Sequence, residues 1–237
     1  MIILNFHGLG PVPHGIDAGE ADCWLDLPCF ENILDRVMGD DRILITFDDG
    51  NASDHAIALP ALLRRCMKAM FFVCSGRVGM PGFLDAGRIR ELAGQGMAIG
   101  SHGVRHLPWR CLDDGRLQDE TAGSRKRLED LLGRNVDCAA CPFGDYDRRV
   151  LRALKKAGYQ SVFTSDGGEC AAGWWIKPRT TVRRSTPPAQ LERILTASPR
   201  LARHAIDRLR VMAKANRPRP IANLRARQTP GIHFPAN

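Results

Sequence analysis

A short, mostly apolar run that leads directly into two aspartates and a glycine constrains the fold of this chain most. Residues 42–47 form the run, and Asp48, Asp49 and Gly50 follow it. A run of this length and composition predicts a buried strand of a parallel sheet. Because α/β folds place their chemistry at the carboxyl ends of such strands, we expect the two carboxylates to lie at a functional site. The alternative interpretation is a solvated turn.

A second strand is predicted over residues 97–100, and two histidines follow it. His102 comes directly after Ser101, and His106 comes four residues later. On one helical turn, this spacing lets both imidazoles converge on a single cation. Two neutral nitrogens and one carboxylate oxygen leave coordination positions open for water, as at a catalytic metal site. Such a pair alone often lies on a helix surface, but together with the aspartates it predicts a metal site.

In this order, the segments 46–50 and 101–106 resemble the motifs of the polysaccharide deacetylase (NodB-homology) family, carbohydrate esterase family four. The resemblance covers about residues 1–195. It implies a distorted (β/α) barrel of about seven strands and hydrolysis of the N-acetyl group of an amino sugar. It also implies a divalent metal of the zinc type, with Co²⁺, Ni²⁺ and Fe²⁺ as alternatives. Residue by residue, the resemblance implies that Asp49, His102 and His106 are metal ligands and that Asp48 is the catalytic base.

The chemistry of neighbouring carboxylates supports this division of roles. If Asp49 binds the cation, Asp48 can reach a water on the metal without being a ligand. A metal lowers the pKa of such a water from about 16 toward 7, so a weak carboxylate base suffices. The oxyanion that forms on the attacked amide would be held by the metal and a backbone N–H.

The segment 141–146, Cys-Pro-Phe-Gly-Asp-Tyr, resembles the family's loop in which an arginine, a variable residue, proline, an aromatic residue and glycine occur. Pro142 and Phe143 match, and the Phe143 amide is the candidate oxyanion donor. The arginine position is Ala140, so the residue that usually braces the base is absent there. Arg179 is the candidate replacement for its charge, but the sequence does not place it.

The general acid is expected at the opposite end of the chain from its usual position. The family normally ends with a strand bearing Leu-x-His, and nothing after residue 180 fits. The segment 2–8 is instead an apolar strand that ends in His7 and Gly8. This looks like a circularly permuted branch of the family, in which the last strand has moved to the front. His7 is then the predicted acid, and a structural histidine at a strand end is the alternative.

Predicted strands and helices alternate along the chain. The strands lie near 2–6, 43–47, 69–73, 97–100, 138–141, 161–164 and 174–182, and the helices near 54–66, 85–93, 113–132 and 147–157. Such alternation favours a parallel sheet or barrel. A chain of 237 residues that is 44% hydrophobic can form one such domain, which we predict over residues 1–197.

The predicted C-terminal part, residues 198–237, differs in charge. It holds nine Lys or Arg and one acidic residue, Asp207, and so accounts for the whole formal net charge of +8. Five apolar residues at near-helical spacing predict a basic amphipathic helix: Leu201, Ile206, Leu209, Val211 and Met212. This helix packs on the barrel or lies on an anionic membrane surface. Prolines after Asn216 predict an extended or disordered end.

Composition also bears on the setting of the protein. No run of about 18 apolar residues and no signal peptide is recognisable. Eight cysteines without a Cys-x-x-Cys pair indicate reduced thiols in a cytoplasmic protein, with a disulfide-bonded extracellular enzyme as the alternative. No recognition motif accompanies the basic charge, which argues against nucleic-acid binding.

The predicted function is removal of N-acetyl groups from a polysaccharide, oligosaccharide or glycolipid, in exopolysaccharide or glycolipid biosynthesis. An amide hydrolase with another substrate is one alternative. A catalytically weak relative that binds metal or glycan is another, since the motif arginine is missing. Non-haem iron oxygenases also use two histidines and one carboxylate, but Asp48 and the Pro-Phe-Gly segment argue against that class.

Overall fold

The computed structural model describes residues 1–171, 173–196 and 201–217. Its strands are β1 Ile2–Phe6, β2 Ile43–Phe47, β3 Ala69–Val73, β4 Ala98–Ser101, β5 Cys138–Ala140, β6 Ser161–Thr164, β7 Ile176–Pro178 and β8 Thr180–Thr181. The α-helices of these residues are α1 Ala18–Ala21, α2 Leu27–Val37, α3 Leu59–Leu63, α4 Ala86–Gly94, α5 Asp114–Gln118, α6 Ser124–Leu132, α7 Arg148–Lys156, α8 Pro188–Leu195 and α9 Leu201–Ala215.

The strands form one parallel sheet that closes into a barrel. Their order is β7-β6-β5-β4-β3-β2-β1-β8, and every neighbouring pair is parallel. The two edge strands, β7 and β8, are separated in the chain by Arg179 alone. One extended segment therefore pairs with β6 through its first half and with β1 through its second, and so joins the two edges. Counted in this way the barrel has seven strands, which confirms the predicted fold class; the permutation stays a prediction.

Residues of the strands alternate between the barrel interior and the surrounding helices. Outward-facing Phe6 lies 5.4 Å from the ring of Phe30 on α2, and Phe47 stacks on Phe71 at 4.7 Å. A smaller apolar cluster, which includes Phe72 and Phe163 with ring centroids 4.9 Å apart, fills part of the interior. The interior becomes polar toward the carboxyl ends of the strands, where the fully buried polar side chains include Asn5, Thr46 and Arg179.

The helices follow the sequence signals in part. Helix α4 forms where the helix 85–93 is predicted, and Asp85 caps it by accepting the Arg88 N–H at 2.9 Å. Helix α6 ends at Gly133 with φ 66°, next to the predicted helix end at 132. The predicted helix 113–132 is α5 and α6 joined by a π-helical segment, Asp119–Gly123. Helices α1, α2 and α8 were not predicted from the sequence.

Helix α9 forms where the basic amphipathic helix is predicted, and it presents apolar residues on two sides. Val211 and Ala215 are buried, together with Asp207. Ile206, Leu209 and Met212 are exposed, by 51%, 65% and 54%. The predicted boundary at 197/198 and the proline-containing end after residue 217 lie outside the described residues. Among the described helices, none has the length and apolar character needed to cross a membrane.

Candidate functional site

The predicted site residues meet at the carboxyl ends of the strands. Phe6 pairs with Phe47, so His7 and Asp48 leave neighbouring strands side by side. The Asp48 N–H donates to the Phe6 carbonyl at 3.0 Å, and the His102 N–H donates to the Val73 carbonyl at 2.9 Å. Six of the eight predicted site residues line one cavity of about 340 Å³: His7, Asp48, Asp49, His102, His106 and Phe143.

Asp49, His102 and His106 form a candidate metal site. One ligand atom from each lies within 4.8 Å of the others. Oδ1 of Asp49 is 3.2 Å from Nε2 of His106 and 3.7 Å from Nε2 of His102. This oxygen is buried and has no hydrogen-bond partner among the described residues. Nδ1 of His102 lies 3.0 Å from the Ala140 carbonyl. Because this oxygen can only accept a hydrogen bond, Nδ1 carries the proton and Nε2 is free to ligate. The donor set therefore fits a divalent cation.

Burial sets the protonation of these ligands. It lowers the pKa of His106 to about 3 and lowers the pKa of His102 below its ordinary value. Burial alone would raise the pKa of Asp49, but the nearby His106, His7, His102 and Arg77 outweigh it and bring that pKa below its ordinary value. Neutral imidazoles beside an ionised carboxylate are the states in which these side chains bind a metal.

The two imidazoles do not converge by helical geometry, and that prediction is wrong. Residues 102–108 form an irregular loop in which Gly103 and His106 are left-handed, with φ 82° and 56°. Fully buried Glu120 holds the loop by accepting the N–H groups of Val104 at 2.8 Å and Arg105 at 3.1 Å. A Cβ on Gly103 would come within 2.5 Å of this carboxylate, so only glycine fits there.

Asp48 is held by a fully buried arginine. Nη1 and Nη2 of Arg179 donate to Oδ1 and Oδ2 of Asp48, each at 2.7 Å, and Asn5 Nδ2 donates to Oδ2 at 3.0 Å. Burial raises the pKa of Asp48, but the Arg179 guanidinium and His102 more than offset this and hold the pKa well below its usual range. Asp48 is therefore ionised and fixed in orientation.

Arg179 and Ala140 both lie beside the same two aromatic rings of the barrel interior. Ala140 belongs to the interior cluster with Phe72 and Phe163. The guanidinium carbon of Arg179 lies 5.1 Å from the Phe72 ring centroid and 5.9 Å from that of Phe163. The charge that the motif loop lacks thus reaches Asp48 from the closing strand of the barrel.

The Pro-Phe-Gly segment forms a single tight turn beside the histidines. Phe143 has φ 58°, and its half-exposed ring lies 4.4 Å from the His106 ring centroid. Pro142 is buried, and its carbonyl accepts the Asp145 N–H at 3.0 Å. Across the cavity, Nδ1 of His7 is buried and has no hydrogen-bond partner among the described residues.

Four further residues contribute to the site, and the sequence analysis did not select them. Asn5 is a polar residue within an apolar strand, and Glu120 shares a helical face with the apolar Leu117 and Leu128. A polar residue in an apolar pattern is visible in the sequence, so both residues could have been selected from it. Nη1 of Arg77 lies 3.8 Å from Oδ1 of Asp49. No pattern in the sequence marks Arg77 as a residue of the site.

The fourth is Asp54, which is fully buried at the start of the π-helical turn before α3. Neither of its carboxylate oxygens has a hydrogen-bond partner among the described residues. Burial, together with the charges of Asp49 and Asp48, raises its pKa well above the ordinary value. These surroundings favour the neutral form of Asp54 beside the two ionised aspartates.

Comparison with known proteins finds relatives of this chain. The family model for polysaccharide deacetylases matches residues 35–162. This span includes the aspartates, the two candidate ligand histidines and the Pro-Phe-Gly turn but neither His7 nor Arg179. The Bacillus subtilis protein named "Putative polysaccharide deacetylase YxkH" is 31% identical over 134 residues, which are 56% of this chain and 48% of that protein. A peptidoglycan-N-acetylglucosamine deacetylase of Bacillus cereus is 29% identical over 124 residues, 52% of this chain and 56% of that protein. The chain thus spans about half the length of these relatives.

Solved structures share the fold. The deacetylase PplD of Streptococcus pyogenes, in complex with acetate, has a TM-score of 0.71 at 19% identity, over 83% of this chain and 98% of that one. IcaB from Ammonifex degensii has a TM-score of 0.67 at 22% identity, and the match covers 82% of this chain and 94% of IcaB. At these identities the likeness establishes the barrel architecture and not the chemistry.

The buried ion pair generates a stability prediction. Arg179→Met should lower the free energy of unfolding by about 3 kcal/mol, because it leaves the Asp48 carboxylate buried without its cation. Adding Asp48→Asn to that variant should restore about half of the loss, since the second change removes the unpaired charge. Urea unfolding of the two single variants and the double variant measures both effects. Independent, additive losses would mean that the two side chains do not share a buried charge pair.

Proposed function

The chain belongs to the polysaccharide deacetylase family, and we propose that it is a metal-dependent hydrolase that removes N-acetyl groups from amino sugars. The observation that carries this proposal is the cluster of Asp49, His102 and His106, with ligand atoms within 4.8 Å of one another, beside an Asp48 that is not part of it. A metal-binding triad with an adjacent, separately held carboxylate is the arrangement that hydrolysis of an amide by an activated water requires.

In this proposal each residue has one role. A divalent metal, with Zn²⁺ preferred and Co²⁺, Ni²⁺ or Fe²⁺ as alternatives, would be held by Asp49, His102 and His106 and would act as a Lewis acid toward water and the acetyl carbonyl. Asp48 accepts the proton of the attacking water. Because Arg179 keeps the pKa of Asp48 low, this base is always ionised but weak, which suits a water whose acidity is already raised.

The other two roles concern the amide that is cleaved. The Phe143 N–H donates to the oxyanion that develops on the acetyl carbonyl. His7 donates a proton to the amine as the C–N bond breaks, so that acetate and a free amino sugar are released. Pro142, which restricts the backbone before Phe143, fixes the turn that aims the donor.

We take the substrate to be an N-acetylated amino-sugar glycan or glycolipid. The name of the Bacillus cereus relative, a peptidoglycan-N-acetylglucosamine deacetylase, supports an acetylated amino sugar as the substrate class. The cavity also presents Glu20 and Arg183, polar side chains of the kind that bind hydroxyl-rich ligands. A role in exopolysaccharide biosynthesis and a cytoplasmic setting are parts of the same proposal.

Acetate release from N-acetylchitooligosaccharides tests the function directly. The protein should release acetate as purified, lose the activity after chelation and regain it when Zn²⁺ or Co²⁺ is added back. N-acetyl-lysine peptides are the matched substrates for the alternative amide hydrolase. Acetate release from the peptides alone would mean that the substrate is an acetylated peptide and not a sugar. Acetate release from neither substrate would refute the proposed activity.

The ligand and base assignments predict opposite effects on metal content. His102→Ala should lose both the metal and the activity, because two remaining protein ligands hold a divalent ion poorly. Asp48→Asn should keep one metal per chain while turnover falls at least about a hundredfold, the usual scale for a general base. Elemental analysis of both variants beside acetate release makes the comparison. Metal loss in Asp48→Asn would mean that the roles of Asp48 and Asp49 are exchanged.

If His7 is the general acid, the loss of turnover in His7→Ala should depend on the leaving group of the substrate. His7→Ala should keep its metal and lose roughly 10²–10⁴-fold in turnover on N-acetyl sugars, because an amine leaves poorly unless it is protonated. An acetyl ester of 4-nitrophenol, which leaves without protonation, should be affected far less. His14→Ala, an exposed histidine outside the cavity, is the matched control. Equal losses on both substrates would exclude His7 as the acid.

We also propose that α9 contacts an anionic membrane surface. Its outward stripe consists of Ile206, Leu209 and Met212, all exposed, and the helical geometry places Arg208 and Arg210 on either side of it. An apolar stripe flanked by arginines is typical of helices that lie on anionic bilayers.

Leu209→Asp should weaken co-sedimentation with phosphatidylglycerol-rich vesicles about tenfold, by removing apolar burial and adding repulsion. The control is Met38→Asp, at an exposed methionine at the carboxyl end of α2, which should leave co-sedimentation unchanged. Binding should weaken with added salt. Equal partitioning of both variants, or no preference over phosphatidylcholine vesicles, would refute membrane contact through this stripe.

A further inference from the structure

The turn that carries Phe143 is anchored by a buried tyrosine. Tyr146 follows the turn and is fully buried. Its hydroxyl donates to Oδ2 of Asp166 at 2.6 Å, and the Thr164 hydroxyl donates to the same oxygen at 2.8 Å. Burial and the neighbouring Asp166 raise the pKa of Tyr146, so the hydroxyl stays a donor. The position of this turn therefore depends on where the Asp166 carboxylate is held.

Helix α9 supplies the cation for that carboxylate. Nζ of Lys214 donates to Oδ1 of Asp166, the oxygen that Tyr146 and Thr164 do not use. The same ammonium lies 5.0 Å from the ring centroid of Tyr146. The side chains of Lys214 and Asp166 are only 19% and 8% exposed, so water screens their attraction little. Both residues lie beyond residue 162, where the match to the family model ends.

From these contacts we propose that Lys214 is a positioning residue for the Pro-Phe-Gly turn, acting through Asp166 and Tyr146. The docked state of α9 thereby sets the placement of the Phe143 amide. This inference rests on the proposed function of that amide as the oxyanion donor.

The physical reason is the cost of leaving Asp166 without its cation. A buried carboxylate that loses its partner takes up a proton or turns toward water. Either response weakens the bond from Tyr146, which then no longer fixes the end of the turn. Because a donor stabilises the oxyanion only at hydrogen-bond distance, a small displacement of the turn lowers turnover while substrate binding persists.

Two variants interrupt the chain of contacts at different points. Lys214→Met removes the charge and keeps the length of the side chain, and Tyr146→Phe removes the hydroxyl with α9 intact. Lys214→Arg restores the charge. Lys156→Met, at an exposed lysine at the end of α7, is the matched control. Hydrogen exchange of the amides in residues 141–146 measures the turn without any need for activity.

We expect exchange in that segment to quicken about tenfold in Lys214→Met and in Tyr146→Phe, and to stay at the wild-type rate in Lys214→Arg and Lys156→Met. Turnover should fall about tenfold in the first two variants with KM and metal content unchanged, a smaller loss than the 10²–10³-fold of deleting an oxyanion donor. The double variant Lys214→Met/Tyr146→Phe should be no slower than either single variant, since both act through one carboxylate.

Unchanged exchange in Tyr146→Phe, or in a folded Lys214→Met, overturns the positioning role whatever the activity. Faster exchange without a selective loss of kcat overturns its link to catalysis. A wild-type protein that releases no acetate refutes the proposed function instead, and the exchange measurement then still decides whether Lys214 positions the turn.

Discussion

The ion pair between Arg179 and Asp48 connects the closure of the barrel to the placement of its candidate base. Arg179 is the residue at which the chain stops pairing with β6 and begins pairing with β1. Its backbone N–H donates to the Thr164 carbonyl at 3.1 Å, and its guanidinium crosses the interior to both oxygens of Asp48. Because an unpaired charge in this fully buried position is costly, the closing strand cannot shift without disturbing Asp48.

Around this rigid pair, the other groups of the site are supplied by short segments in an uncommon backbone conformation. Asp49, His106 and Phe143 have left-handed φ angles of 77°, 56° and 58°, and they are three of the four non-glycine residues with such angles in the described part of the chain. Each such residue costs of order 1 kcal/mol and persists only where its surroundings hold it. Buried Glu120 and Tyr146 provide that hold for the histidine loop and the Pro-Phe-Gly turn.

The sequence predicts the parts of this arrangement that depend on local pattern. Apolar runs locate the strands, and polar residues at their carboxyl ends locate Asp48, His7 and His102 at one edge. Helix α2 has an equally local signal, an Asp26 side chain that caps it and an apolar face, and could have been found. The contact of Arg179 with Asp48 could not, since it depends on which strand closes the barrel. The loop between the histidines could not either, because a distant carboxylate, and not helical periodicity, sets its shape.

The missing motif arginine at Ala140 was the reason to consider a catalytically weak binding protein. A weak site would follow only if no other cation reached Asp48, the candidate base. In the barrel a bidentate guanidinium does reach it, from position 179, and the small side chain at 140 leaves the interior free for it beside Phe72 and Phe163. Because Ala140 and the Arg179 guanidinium lie beside the same two rings in a packed interior, we expect a long side chain at 140 to compete with Arg179 for space. The departure at Ala140 is therefore better explained as a relocation of the charge than as its loss, and it no longer favours a binding protein over an enzyme.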